Sequence, residues 1–245
     1  MSVYANTDIR WYVGQYAVSS RAKSATFGVD CTALDTTPIS TSGWTEVIGG
    51  LKSGQFSHEL MSDFADGGLD EIMFAALGTA DVTQSFSIGS TVGSNGYTFK
   101  SLSTSYSPIG GQPGELAMAS LAGQSSGTIA RGKLIAADTT AVTSSSTGTA
   151  VQVGALSSSQ VLYAGLHVTA ASGTTPTLAV VVQSDNASNF PSPTSRITFS
   201  TATDAANRHQ FSSVAGAVTD DWWRVSYTVT GTGPSFAFAV VVGVG

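Results

Sequence analysis

Apolar and polar residues alternate with a period of two over most of this chain, which is the signature of strands with one buried face. In "RVSYTVT", Val225, Tyr227 and Val229 point one way and Arg224, Ser226 and Thr228 the other. "VLYAGLHVT" puts Leu162, Ala164, Leu166 and Val168 on one face, and "SRITFST" does the same with Ile197 and Phe199. Two segments, "TLAVVVQ" and "SFAFAVVVGV", are apolar at every step, so they are expected to be covered on both sides or docked against another module. Turn-forming clusters ("SGTTP", "NASNFPSP", "GTGP") separate these runs. About seven short strands between residue 150 and the end describe a β-sandwich.

The first half is also strand-rich. "WTEVIGGLKSGQFSHEL" and "GYTFKSLSTSYS" alternate, and "GELAMASLAGQSSGTIARGKLIA" reads as a strand pair bent at a Gly/Ser turn. One stretch departs from period two. "LDEIMFAALG" sets Leu69, Ile72, Met73, Ala76 and Leu77 at helical spacing and stops at Gly78, a suitable C-terminal cap. Asp70 and Glu71 fall in its first turn, where the helix dipole favours anions, and are assigned as helix-capping acids.

Between Asp138 and Ala150, "DTTAVTSSSTGTA" has Val142 as its only large apolar residue and reads as a flexible connector. The expected division is a core domain at 1–140, a Ser/Thr-rich linker at 141–149 and a C-terminal β-sandwich at 150–245. Through Asp138 the chain carries seven basic and twelve acidic residues, net −5; beyond it, three and four, net −1.

Composition sharpens the picture. Charged residues are 11% of the chain, against about 25% in typical soluble domains. The polar surface is therefore made of Ser, Thr, Gly and Asn, which suits β-proteins that bury surface against other copies. A net charge of −6 disfavours nucleic-acid binding through a basic patch. The single Cys31 rules out an intrachain disulfide and a Cys-based zinc site. "MSVYANTDIRWYVGQYAVSS" has no apolar core of leader length, and "FAFAVVVGVG" is about half of the ~20 residues a membrane helix needs, so no membrane segment and no secretion are expected.

The acids are not spread evenly. "FSHELMSDFADGGLDEIMFAALG" holds Glu59, Asp63, Asp66, Asp70 and Glu71 and no Lys or Arg. Carboxylates could hold calcium, but the spacing does not match D-x-[DN]-x-[DN]-G-x₅-E, and Asp70 and Glu71 are already accounted for by the helix. No metal, cofactor or catalytic residue is assigned. "GQSSG" (123–127) matches a nucleophile-elbow pattern, yet an alternating strand follows it rather than a helix, so it reads as a turn. Trp222 and Trp223 are possible exposed aromatics for sugar stacking; strand alternation sends them to opposite faces, leaving one in the core. The three His residues are scattered, and "NAS" at Asn186 has no role without secretion.

"LYAGLHVTAASGTTPTLAVVVQSDNASNF", "TSRITF" and "TDDWWRVSYTVTGTGPSFAFAVVVGVG" resemble the C-terminal part of tail tube (major tail) proteins of long-tailed bacteriophages. "GLKSGQFSHELMSDFADGGLDEIMFAAL" resembles that family's strand, acidic loop and short helix. The implied fold class is mainly β: a tail-tube-type β-barrel/sandwich domain with one short helix, then a C-terminal β-sandwich decorating the tube exterior. The resemblance implies a non-enzymatic structural protein forming hexameric rings that stack into a tube. Implied partners are further copies of the chain, a tape-measure protein and tail terminator or tip proteins, with genomic DNA passing through without specific binding. The implied location is the virion tail, assembled in the host cytoplasm. On this reading Asp63 and Asp66 face the lumen or the junction between rings, where carboxylates deny DNA phosphates a foothold. The alternative is a glycan-binding virion or surface β-sandwich protein.

Overall fold

The structure, a computed structural model, describes residues 8–39 and 43–245. The first seven residues of the segment considered as a leader lie outside them. Among the described residues there are fourteen strands, one α-helix and one 3-10 turn (Val18–Ser20).

The first half runs β1 (Ile9–Val13), β2 (Tyr16–Ala17), β3 (Ala22–Asp35), β4 (Val47–Met61), α1 (Leu69–Ala76), β5 (Val82–Ile88), β6 (Asn95–Gly110), β7 (Met118–Ser125) and β8 (Ala130–Ala136). Its organiser is the long strand β6. On one side β6 pairs with β5 over Gly96–Ser101; on the other it pairs first with β8 and then with β7. β7 and β8 thus lie end to end along β6 and do not pair with each other, which corrects the expected strand pair bent at 123–127. The turn there redirects the chain along a shared neighbour. β4 adds to β7 and β3 to β4.

The core behind these strands is aromatic. Trp11 stacks on Phe86 at 4.6 Å and Phe27 on Phe99 at 5.0 Å, with Phe56, Leu60 and Leu121 buried beside them. Helix α1 closes one end. Leu69 and Met73, one turn apart, are fully buried, and Ile72 and Ala76 pack partly against the same core. The helix ends at Leu77, and Gly78 follows in the left-handed region (φ +72). Leu77 leaves the helix in extended conformation and is 38% exposed, so it is not part of the packed face that its spacing suggested.

The second half comprises β9 (Ser146–Thr147), β10 (Val151–Gln152), β11 (Val161–Asp185), β12 (Thr194–Thr198), β13 (His209–Ala215) and β14 (Trp222–Val244). β11 and β14 pair antiparallel along nearly their whole length, from Leu162↔Val244 to Asp185↔Trp222. Register shifts break this ribbon at its middle, between Val168 and Thr177, and Leu162–Val168 and Leu178–Val182 line one core. The ribbon therefore bends over itself and supplies both layers of a sandwich, with β13 flanking one arm and β12 the other. The bend needs glycine. A Cβ on Gly173 (φ +121) would come within 2.8 Å of the Gly233 carbonyl oxygen, and one on Gly231 (φ +120) within 2.9 Å of that of Thr175.

Of the two wholly apolar segments, only one is covered on both faces. Phe236, Phe238, Val240 and Val242 fill the sandwich core, and Ala239 and Val241 face the other way, against Tyr12 and Leu134. In "TLAVVVQ", Leu178, Val180 and Val182 are buried, but Ala179 and Val181 are only half-buried, because that arm has no second layer outside it.

The two halves share hydrogen bonds. β14 pairs with β8, so one sheet crosses from the first half to the second. His167 is enclosed at this seam, its Nδ1 2.7 Å from the Gly14 carbonyl and its Nε2 2.8 Å from the Ser85 hydroxyl. Since a carbonyl only accepts, Nδ1 carries the proton and Nε2 accepts from Ser85. The Ser/Thr-rich connector is held along β14: Val142 bridges Phe236, β9 pairs with Ser226 and Tyr227, and Asp138 accepts from Tyr12 and Thr169.

Candidate functional site

β3, β4, β7 and the second half of β6 form a four-stranded sheet with two unlike faces. Burial alternates strictly along Gly54–Leu60, with Phe56, His58 and Leu60 inside and Gln55, Ser57 and Glu59 outside. Cross-strand pairing carries this outer face sideways. Glu59 lies opposite Ser24 and Ser120, Ser57 opposite Thr26 and Ala122, and Gln55 opposite Gly28 and Gln124. Asp30, Ser53, Ser105 and Ser107 extend it. Hydroxyls tie it together: Ser24 Oγ donates to Glu59 (3.1 Å), and the Thr26 and Ser57 hydroxyls are 2.6 Å apart. A shallow depression of about 500 Å³ runs across it. Leu102 at one end, Met61 and Met118 at the other, and the small Ala122 between them are its apolar members. None of these residues is Lys or Arg; Lys23 stands in the β3 bulge at the margin. The face offers hydroxyls, amides and the carboxylates of Asp30 and Glu59, and no cation for a phosphate.

Both edges of this sheet are open. Among the described residues β3 pairs only with β4, and past the Leu77–Ser103 bridge the outer side of β6 has no strand beside it. Unpaired edges are templates for another chain, and neither edge carries a Lys guard along its length apart from Lys23; the one proline, Pro108, sits near the end of β6. At the far end of the β3–β4 ribbon, Val29, Leu34, Val47, Ile48 and Leu51 are exposed, and Trp44 beside them is 82% exposed. So much bared apolar surface marks an interaction site.

Behind the polar face sits His58, 1% exposed and edge-on to the Trp11 indole at 4.4 Å. Neither ring nitrogen has a protein hydrogen-bond partner among the described residues, and burial pushes its pKa down to about 4. It is a neutral core histidine.

The acidic stretch is distributed over several tasks. Glu59 is on the polar face. Asp63 is engaged by Arg21 (2.6 Å), accepts the Ala65 N–H through Oδ1, and receives the Asp70 N–H at its backbone carbonyl. The stretch has no cation of its own, but the fold brings one to it. Asp66 is exposed in the loop. Glu71 accepts the Gly67 N–H at 2.8 Å and so fastens the loop to the first turn of α1. Asp70 accepts the Tyr106 hydroxyl at 3.0 Å, and burial together with that carboxylate raises the phenol well above its ordinary range.

Trp223 is fully buried and donates from Nε1 to the Gly154 carbonyl, while Trp222 is half-buried on the opposite face, so the two do not form one platform. Ser125 ends β7 and accepts the Gly54 N–H; the chain then turns into β8 rather than a helix. Among the described residues no group of three or more His, Cys, Asp or Glu is placed to hold a metal, and no helix is long and apolar enough to cross a membrane. Asp30 was missed as a member of the polar face. The signal was present in the alternation of "TFGVDC" against "KSGQFS", but it needs the β3–β4 register to be read.

No family model and no curated protein matches the chain. Solved structures similar to it belong to tails and injection machines. The tail of an empty gene transfer agent particle, with C6 symmetry, aligns at 18% identity and TM-score 0.43, covering 52% of this chain and 97% of that one. The sheath–tube complex of an extracellular contractile injection system aligns at 8% identity and TM-score 0.42, covering 54% and 92%. The SPP1 Dit protein, of the hub adsorption apparatus in phages infecting Gram-positive hosts, aligns over 96% of this chain and 98% of that one, at 11% identity and TM-score 0.36.

Proposed function

We propose that this chain is the structural subunit of a phage tail tube, with no enzymatic activity. The observation that carries the reading is the four-stranded sheet with two open edges and a cation-free polar face. Edge β3 of one copy pairs with the free edge of β6 in the next, and repetition closes a barrel that removes both open edges of this sheet. The resemblance in sequence supplies the ring size, six, and the stacking of rings. The polar face then lines the channel. Asp30 and Glu59 from each copy, with hydroxyls between them, keep the wall wet and repel DNA phosphates. Asp66, exposed in the loop before α1, lies at the lumen rim or ring junction; Asp63 serves its loop through Arg21. The C-terminal sandwich decorates the exterior. Tape-measure and terminator or tip proteins are the further partners that the resemblance implies.

Electron microscopy of the purified chain tests this directly: rings or tubes are expected, and a chain that stays monomeric at high concentration refutes it. A second arm tests the wall. Ser57→Lys with Gln55→Lys should leave assembly intact and create a salt-sensitive affinity of the assembled tube for DNA. Tubes that assemble and gain no such affinity would show that this face does not line the channel.

A further inference from the structure

Beneath the overhanging end of the β3–β4 ribbon lies a cleft of about 640 Å³, lined by Val29, Lys52, Tyr97, Ser125, Thr128 and Ile129. Its walls are an exposed Val and two half-buried side chains, Tyr97 and Ile129. Among the described residues Lys52 makes no ion pair. Cys31 is directly across the ribbon from Lys52 and shares its side.

The complementary surface is on α1. Leu69 and Met73 face the core, which leaves Glu71, Phe74 and Ala75 as one outward stripe. Phe74 is 69% exposed in the middle of it, a large flat apolar group on a helix whose charges are all negative.

We infer that the outer stripe of α1 of a second copy docks in the cleft, with Phe74 seated against Val29, Tyr97 and Ile129, and Glu71 facing Lys52. The charges are opposite and the apolar parts match a ring to a cleft. Lys52 and Met61, beyond which the chain leads into α1, are about 30 Å apart along β4 at ~3.3 Å per residue, and the outward stripe of α1 points away from the core that its other side covers, so the stripe does not reach its own cleft. Two different patches in contact make a heterologous joint, which propagates from copy to copy instead of ending at a dimer. This inference rests on the assembly reading above and adds to it the surface that joins neighbours.

Cys31 is the chain's one thiol, which permits a specific test. Mixing the parent chain with the variant Cys31→Ser/Ala75→Cys under mild oxidation should give a disulfide-linked dimer containing one chain of each kind. Disulfides formed only between two copies of the variant would mean that α1 packs on itself and would overturn the docking. In parallel, Lys52→Glu and Glu71→Lys should each raise the concentration needed for assembly about tenfold or more, because each puts like charges face to face. The double variant should restore it, and Phe74→Ser should weaken assembly with no change in the melting of the unassembled chain. A parent that assembles, with single variants indistinguishable from it or a double variant no better than either single, removes this contact and leaves the tube reading standing. A parent that never assembles removes both.

Discussion

Replacing His58 with Phe should stabilise the protein, and the gain should grow as the pH falls. The imidazole is buried among Trp11, Phe56 and Leu121, with both ring nitrogens lacking a protein partner among the described residues. An unsatisfied buried polar group costs about 1–3 kcal/mol, and a phenyl ring has none. Phe is somewhat larger, and overpacking can take back about 1 kcal/mol or more. Near pH 7.5 the expected net gain is therefore about 0–2 kcal/mol.

The pH dependence is the cleaner readout. His58 has a folded pKa of about 4, below its ordinary 6.5, because burial disfavours the cation. Between those values the unfolded chain takes up a proton that the folded chain refuses, so stability is lost as the pH falls below 6.5. Each unit is worth about 1.4 kcal/mol, so at pH 4.5 this one residue costs about 2.7 kcal/mol that Phe does not incur. Urea unfolding followed by Trp fluorescence at pH 7.5, 5.5 and 4.5 measures the difference, with both chains kept unassembled at low concentration. The Asp and Glu residues titrate equally in parent and variant and cancel. A His58→Phe chain whose advantage stays constant from pH 7.5 to 4.5 would refute the argument, since it would mean that the folded state protonates His58 without penalty. A loss at pH 7.5 with the slope intact would instead report overpacking alone.

Three further outcomes follow from the packing. Met73→Ala should cost about 2–5 kcal/mol, and Leu77→Ala less than about 1, read as thermal unfolding; equal costs would place Leu77 in the core. Asp63→Asn should lower stability by about 1 kcal/mol in an otherwise unchanged fold, and by less at high salt, because its ion pair with Arg21 is only part-buried. The fragment 150–245 carries nearly all of the sandwich core and should unfold cooperatively by calorimetry, whereas 1–149 loses Ala239 and Val241 from over Tyr12 and Leu134 and should not; a cooperative transition in 1–149 would show that the shared strand β14 is dispensable to the first half.

Local features of this chain are legible where the physics is local. The strict alternation of Gln55, Phe56, Ser57, His58, Glu59 and Leu60 assigns each to its face, and the same rule separates Trp222 from Trp223. The helix and its glycine stop are readable because spacing and cap lie within ten residues. What depends on long-range pairing is not readable. "SGTTP" and "GTGP" carry turn chemistry, but here they bend one continuous ribbon, since β11 and β14 are already paired on both sides of the bend. Arg21 reaches Asp63 only because β3 folds back on β4, and nothing near Asp63 in the sequence announces a cation. The connector lacks the side chains that signal a strand, yet β14 supplies backbone partners that its composition cannot reveal.

The channel wall proposed for this sheet imposes a conflict that the pleat of a single sheet resolves. On that proposal the side turned to DNA has to be small, hydrated and without cations, so Ser57, Gln55 and Glu59 add little to stability. Among the described residues no second layer covers them within one copy. The side chains between them must then carry the sheet alone, and they are the bulky ones: Phe56 and Leu60 on β4, Phe27 on β3 and Leu121 on β7, packed against Trp11, Phe86 and Phe99. That core is anchored in turn through β6 and β8 to the Phe238–Val242 segment of β14, which is buried on both faces. Period-two alternation thus separates two demands that a helix would force onto broader, less sharply divided surfaces. The polar face is free to vary in its hydroxyls and amides as long as no Lys or Arg enters, whereas the alternate positions tolerate little change in volume.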